Sequence, residues 1–205
     1  MWALGAAAVI SIGMDVGRER DPAALAVLHS AGPRPGSHRP CWDALDVGNL
    51  PLGTSYTALA QRAVSLAREF ADAGWPVVLT LDATGIGAAV HELAVAAAPE
   101  LHIVAVTIVA GSTVRHTGPD TYSVGKHRLT EVVQVALQQR GLSLPDTPGV
   151  QELRGQLGRF IAKPRPGGYQ RHEAAGAGHD DLVLALALAL WTGDALHDQH
   201  AGVTP

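Results

Sequence analysis

Short apolar segments recur along the 205-residue chain. Within them, apolar residues either alternate with polar residues or follow one another without interruption, and both patterns predict β-strands. In the first segment, Asp15 falls on the face lined by small residues, which leaves room for a ligand. The second and third segments follow closely enough to form an antiparallel meander with the first. The last two are apolar runs typical of buried parallel strands, and Asp82 ends the earlier of them. The predicted strands are 8–16, 23–29, 42–47, 77–82 and 102–109.

Apolar residues at helical spacing predict helices between and after these strands. A Thr-Ser pair at 54–55 can cap the first helix and Gly74 can end it. Thr147-Pro148 is a favourable start for a later helix. The polar segment 111–122 is predicted to be a loop that leads into a helix beginning at Ser123. The predicted helices are about 55–73, 87–98, 123–141, 148–160 and 182–193.

The last predicted helix contains ten consecutive residues without a polar side chain, Leu182–Trp191. Such a helix must be buried on nearly all sides, and it is far shorter than the ~20 residues needed to cross a bilayer. Asp180 and Asp181 stand on its first turn, where acids stabilise a helix as caps and through its dipole. The same acids would meet Asp15 and Asp82 if the helix packs where those two strands end. Carboxylates that converge in this way form a metal site.

The composition is that of a globular protein, with 47% hydrophobic and 17% charged residues. The length predicts a single domain over 1–193 followed by a polar tail at 194–205. Cys41 is the sole cysteine, which excludes an internal disulfide framework and a cysteine-based zinc cluster and favours a reducing cytoplasm. The apolar start at 2–14 lacks a basic leader and a cleavage site, so neither a signal peptide nor a membrane partner is predicted.

Positive charge is concentrated in 115–171, which holds nine Lys and Arg against four acids although the chain has a net charge of −4. Lys126 and Arg128 lie at the start of a predicted helix, where cations oppose the helix dipole and a bound phosphate would explain them. A predicted hairpin, with arms at 161–163 and 169–173, adds to this basic surface. The distribution favours DNA as a partner, and a merely solvated surface is the alternative. The basic residues of the hairpin region are Arg159, Lys163, Arg165 and Arg171.

Asp15, Asp82 and an acid of the Asp180-Asp181 pair form the predicted catalytic centre. Carboxylate oxygens suit Mg²⁺ or Mn²⁺, and two such ions about 3.5–4 Å apart are what two-metal phosphodiester hydrolysis requires. His179 is next to the acid pair and could contact a metal-bound water or the scissile phosphate. The order of strands and helices matches an α/β, ribonuclease H-like fold, with a mixed sheet (antiparallel meander plus parallel strands) flanked by helices.

Four ordered motifs resemble the nuclease domain of the large subunit of tailed-phage DNA-packaging terminases. They are Gly13-Met14-Asp15-Val16-Gly17 with Asp21-Pro22, Leu81-Asp82-Ala83-Thr84-Gly85-Ile86-Gly87, Val124-Gly125-Lys126-His127-Arg128-Leu129, and the segment 179–189. The resemblance covers roughly residues 8–191. It implies a Mg²⁺- or Mn²⁺-dependent endonuclease that cleaves double-stranded DNA with little sequence preference.

In this family the matching acids are metal ligands, so the resemblance implies that Asp15, Asp82 and Asp181 are catalytic and that Asp180 is an accessory ligand. The implied partners are double-stranded DNA, a packaging ATPase, a portal and a small terminase subunit, in the cytoplasm of a phage host. No Gly-x-x-x-x-Gly-Lys-Ser/Thr motif occurs in the sequence, so we expect no ATPase motor in this chain.

Three alternatives stay open at this point. A structure-selective resolvase of the same fold would prefer four-way DNA junctions to linear duplex. A non-catalytic DNA-binding remnant would bind DNA without turnover. A sugar-kinase-like nucleotide binder is suggested by Asp15-Val16-Gly17, which resembles the first phosphate loop of that fold. The lack of a second glycine-rich phosphate loop counts against this last alternative.

Overall fold

The computed structural model describes residues 8–17, 21–33, 40–161 and 180–200. Within these ranges the chain forms an eight-stranded sheet with five helices on its two faces. The strands are β1 (Ile10–Asp15), β2 (Ala24–Pro33), β3 (Pro40–Asn49), β4 (Val77–Asp82), β5 (His102–Val109), β6 (Val114–Gly118), β7 (Thr121–Gly125) and β8 (Leu142–Ser143). The helices are α1 (Tyr56–Asp72), α2 (Gly87–Ala97), α3 (Lys126–Gln138), α4 (Pro148–Ile161) and α5 (Asp181–His200).

The sheet combines antiparallel and parallel pairs in the order β6-β7-β5-β4-β1-β2-β3-β8. The first three strands form the predicted antiparallel meander. On the other side of β1, the strands β4, β5 and β7 continue the sheet in parallel. The short β8 is parallel to β3, and β6 is antiparallel to β7. The predicted mixed sheet is therefore confirmed, and β1 stands between its antiparallel and parallel halves.

β1 has a different neighbour on each face, as its alternating pattern predicts. One face packs against α1 and α2, and the other packs directly against α5. Ser11 donates a hydrogen bond of 2.7 Å to the backbone oxygen of Ala189. A Cβ added to Gly13 would lie 2.1 Å from the backbone oxygen of Ala185, so the helix can approach this closely because Gly13 has no side chain. The large β1 side chains on the opposite face are Ile10, Ile12 and Met14.

Helix α5 is the most deeply buried helix of the described structure. The predicted apolar stretch Leu182–Leu190 is buried throughout. The helix continues beyond the predicted end at Gly193. Gly193 packs against the ring of Trp42, and the next turn of the helix is attached to the same ring. Trp42 Nε1 donates a hydrogen bond of 3.0 Å to a carboxylate oxygen of Asp194. The tail predicted at 194–205 is therefore helical in its described part.

The loop predicted at 111–122 was wrong, because this segment contains β6, a turn at Asp120 and the start of β7. β7 is held by its backbone pairing with β5, and its side chains are mostly half-buried apart from Val124. A short strand of this kind leaves little apolar periodicity in the sequence. Since β7 runs on to Gly125, helix α3 begins at Lys126 and not at the predicted Ser123.

Two predicted helix starts are confirmed by their caps. The Ser55 hydroxyl accepts a hydrogen bond from the backbone N–H of Ala58 at the start of α1, and Thr147 does the same for Val150 at the start of α4. Helix α4 ends at Ile161, and the rest of the predicted hairpin lies outside the described residues. In the described part of the chain, no helix combines the length and the apolar character that a membrane span requires.

Candidate metal centre

Asp15 and Asp82 end two neighbouring parallel strands. The register of β1 and β4 pairs Met14 with Leu81, so the two aspartates each follow the last paired residue of their strand. Both lie on the face that α5 covers, and a hydrogen bond joins their side chains. In open α/β sheets the carboxyl ends of the parallel strands are the usual place for a ligand.

The turn after β4 fixes the position of Asp82. A carboxylate oxygen of Asp82 accepts a hydrogen bond of 2.8 Å from the backbone N–H of Thr84. The Thr84 hydroxyl in turn accepts a hydrogen bond of 2.8 Å from Ile108 N on β5. A Cβ added to Gly87 would lie 1.9 Å from the backbone oxygen of Asp82, so glycine is required where α2 begins. The glycine-containing motif after Asp82 therefore shapes one wall of the site.

The N-terminus of α5 brings the second pair of acids to the same place. The backbone oxygen of Asp180 accepts a hydrogen bond of 2.9 Å from Leu184 N, so the helical bonding starts there. The N–H of Leu182 donates to the side-chain oxygen of Gln156 on α4, at 3.1 Å. Gln156 is buried, with 3% of its surface exposed. Gln156 thus satisfies one of the N–H groups that the first turn of α5 leaves without a partner inside the helix.

Four carboxylates thus share a small and largely buried volume. Asp15 is 6% exposed and Asp181 is 8% exposed, while Asp82 and Asp180 are half-buried. Burial raises the pKa of Asp15 well above its ordinary value. The negative charges of Asp82, Asp181 and Asp180 raise this pKa further, as does the hydrogen bond with Asp82. The site therefore concentrates more negative charge than its surroundings balance.

Lys126 belongs to this cluster and not to a separate surface. Its Nζ lies 2.6 Å from a carboxylate oxygen of Asp180, and the two side chains are 27% and 30% exposed. Lys126 is the first residue of α3, which packs beside α5. The predicted contact of Lys126 with a phosphate would therefore be made next to the acids.

The remaining predicted basic residues lie apart from this cluster or outside the described side chains. Arg128 is 51% exposed, and its guanidinium contacts Glu131 at 3.3 Å. Arg159 lies on α4, but its side chain is outside the described part of the chain. The residues predicted for DNA contact or accessory roles in the segment that is not described are Lys163, Arg165, Arg171 and His179.

The acid cluster fits a hard divalent cation, because all four of its candidate ligands are carboxylates. Within the described ranges, no three His, Cys, Asp or Glu side chains already have the arrangement of a formed metal site. The carboxylates lie close to one another but do not surround a single position, and one of them contacts Lys126. Asp15, Asp82 and Asp181 are the residues that could hold an ion, and Asp180 lies close enough for its charge to raise the pKa of Asp15.

The mixed sheet with helices on both faces has a ribonuclease H-like fold. A structural comparison finds the human cytomegalovirus terminase nuclease domain in its manganese-soaked, inhibitor-bound form, with a TM-score of 0.59 and 12% identity over 94% of this chain and 86% of that chain. A second structure of the human cytomegalovirus terminase nuclease domain has a TM-score of 0.55 at 12% identity, with the same shares covered. The predicted similarity to a terminase nuclease is thus confirmed at the level of the fold.

A more distant match is Thermus thermophilus RuvC, with a TM-score of 0.41 and 17% identity over 95% of this chain and 97% of that chain. No family model matches the sequence, and no curated protein matches it.

Proposed function

We propose that this chain is a metal-dependent endonuclease that cleaves double-stranded DNA by two-metal-ion hydrolysis, as the nuclease part of a DNA-packaging terminase. One observation carries the proposal: four aspartates from three separate elements of a ribonuclease H-like fold converge, and burial of Asp15 together with the charges of the other three raises its pKa. Repulsion of this kind destabilises the folded protein unless cations occupy the site.

The likeness to the cytomegalovirus terminase nuclease domain supports the assignment to a nuclease, and its manganese soak supports a divalent ion as cofactor. The acids of this chain supply the oxygen ligands that Mg²⁺ or Mn²⁺ prefers. The role in DNA packaging, with an ATPase motor, a portal and a small subunit as partners, rests on the sequence motifs.

Each residue of the site has a distinct task in this proposal. Bound divalent ions would supply a water of lowered pKa and neutralise the charge that develops on the scissile phosphate. Asp15 is the central ligand because it interacts with all three other acids. Asp82 is held by its turn, and Asp181 is held by a core helix, so their oxygens are fixed before substrate binds. Lys126 is placed to contact a phosphate oxygen beside the acids.

A plasmid assay tests the proposal directly. Supercoiled plasmid is incubated with the purified chain in a series of Mg²⁺ and Mn²⁺ concentrations, with and without EDTA. We expect nicked and linear DNA with either or both metals and none in EDTA. Asp15→Asn, Asp82→Asn and Asp181→Asn should reduce cleavage at least about 100-fold, since each removes a metal ligand. Asp72→Asn, which changes an exposed acid at the end of α1, is the matched control and should cleave normally.

The same assay separates the alternatives. A synthetic four-way junction cleaved in preference to its linear duplex arms would replace the packaging nuclease with a resolvase. DNA binding without cleavage in any metal would indicate a non-catalytic remnant. Normal cleavage by Asp181→Asn combined with loss of cleavage by Asp180→Asn would transfer the ligand role to Asp180.

A further inference from the structure

Lys126 occupies a position that local helix stability does not favour. It is the first residue of α3, where the helix dipole repels a cation. Backbone contacts hold Lys126 at the start of α3, and the charge of its side chain is not needed for them. A Cβ added to Gly125 would lie 2.2 Å from the backbone oxygen of Gly111, so the chain before the helix is tightly packed. The Lys126 carbonyl also accepts a 2.8 Å hydrogen bond from the Thr130 hydroxyl.

The contact that explains the lysine is its ion pair with Asp180. At 2.6 Å, with both side chains about 70% buried, the pair is shorter and drier than the surface pair between Arg128 and Glu131. The charge of Asp180 is also one of those that raise the pKa of Asp15. The ammonium group therefore lies beside one of the acids whose charge acts on Asp15.

We propose that Lys126 is the internal counter-ion of the acidic site. It balances Asp180 until a divalent cation does so, and entry of the cation releases the ammonium group, which then becomes available to a DNA phosphate. The inference deepens the proposed nuclease function and rests on it. Two consequences follow: the lysine weakens metal binding to the DNA-free protein, and metal binding exposes the lysine.

The first consequence is tested by titrating Mn²⁺ into the DNA-free protein and measuring free Mn²⁺ by electron paramagnetic resonance. Lys126→Gln should bind Mn²⁺ about three- to tenfold more tightly than the wild type, because the cation no longer has to open a partly buried ion pair. Lys126→Arg retains the charge and should stay within about twofold of the wild type. Arg154→Gln removes one positive charge from an exposed pair on α4 and controls for net charge.

The second consequence is tested on the unaltered protein. The sequence contains two lysines, Lys126 and Lys163, so an amine-acetylating reagent followed by mass spectrometry reports both at once. Saturating Mn²⁺ should raise the acetylation rate of Lys126 several-fold relative to that of Lys163. This measurement needs no variant, so it decides the question even if Lys126→Gln fails to fold.

The outcomes separate this inference from the proposed function. If the wild type binds Mn²⁺ but Lys126→Gln binds no more tightly, or if Mn²⁺ leaves the labelling of Lys126 unchanged, the counter-ion role is refuted while the nuclease proposal stands. If the wild type neither binds Mn²⁺ nor cleaves plasmid, the nuclease proposal fails and the counter-ion role fails with it.

Discussion

Asp15→Asn should stabilise the metal-free protein at neutral pH, although the proposed function requires this variant to lose cleavage. Asp15 is 6% exposed and lies among three other acids, and its pKa is raised well above the ordinary value near 3.8. Between the ordinary carboxyl pKa and this raised pKa, the folded state therefore holds a proton that the unfolded chain has lost. Stability consequently falls as the pH rises from the ordinary carboxyl pKa to the raised pKa of folded Asp15, and at higher pH the loss is complete.

The size of the effect follows from the repulsion that the variant removes. Two like charges about 5 Å apart repel by roughly 3 kcal/mol at an effective dielectric constant of about 20. Burial of the new amide offsets part of this gain, so we expect a net stabilisation of about 1–3 kcal/mol. For a chain of this size, that corresponds to an increase in Tm of about 2–12 °C.

Scanning calorimetry of the wild type and Asp15→Asn in EDTA, at neutral pH and at acidic pH, measures this gain. The gain should shrink as the pH falls, because folded wild-type Asp15 becomes protonated and the repulsion disappears. Mn²⁺ at 1,000 times its Kd should reverse the order, since a ligand at that concentration stabilises the wild type by about 4.1 kcal/mol. Asp72→Asn should leave Tm nearly unchanged. A lower Tm of Asp15→Asn in EDTA at neutral pH, or a gain independent of pH, would refute the reasoning.

Two further predictions concern packing around α5. Gly13→Ala should lower the free energy of unfolding by about 3 kcal/mol or more, because its Cβ would overlap the backbone of α5. Gly158→Ala on α4 places its Cβ in open space and should raise the free energy of unfolding by about 0.5–1 kcal/mol. Urea unfolding distinguishes these two results, and equal effects would contradict the close approach. Gln156→Leu should cost about 1–2 kcal/mol and weaken Mn²⁺ binding, because Leu182 N loses its acceptor. Gln151→Leu changes an exposed side chain on the same helix and should alter the Mn²⁺ Kd by less than about twofold. An unaltered Mn²⁺ Kd in Gln156→Leu would show that the hydrogen bond does not position the acids.

Much of the fold could be predicted because its central elements have strong local signals. The runs that form β4 and β5 are rich in consecutive apolar residues, and both were predicted with their observed ends. The alternation in β1 predicts Asp15 on the face lined by small residues, and α5 covers that face. By contrast, β6 and β7 were missed, because a short strand that relies on backbone pairing with a neighbour carries little information in its side chains.

The interactions that complete the site lie beyond local sequence patterns. Lys126 and Asp180 are 54 positions apart, and Gln156 and Leu182 are 26 apart. Both contacts depend on how α3 and α4 pack beside α5, and the sequence does not encode this packing as a periodicity. A buried glutamine on an amphipathic helix gives only a weak signal of a capping role at another helix.

Helix α5 supplies both the apolar centre of one layer and the last of the acids in chain order. During synthesis, the strands that carry Asp15 and Asp82 emerge first, and they lack the third carboxylate until α5 has been translated and has docked against β1. The emerging polypeptide consequently holds an incomplete cluster of acids. Completion of this cluster and of the hydrophobic interior are thereby reached in the same folding event.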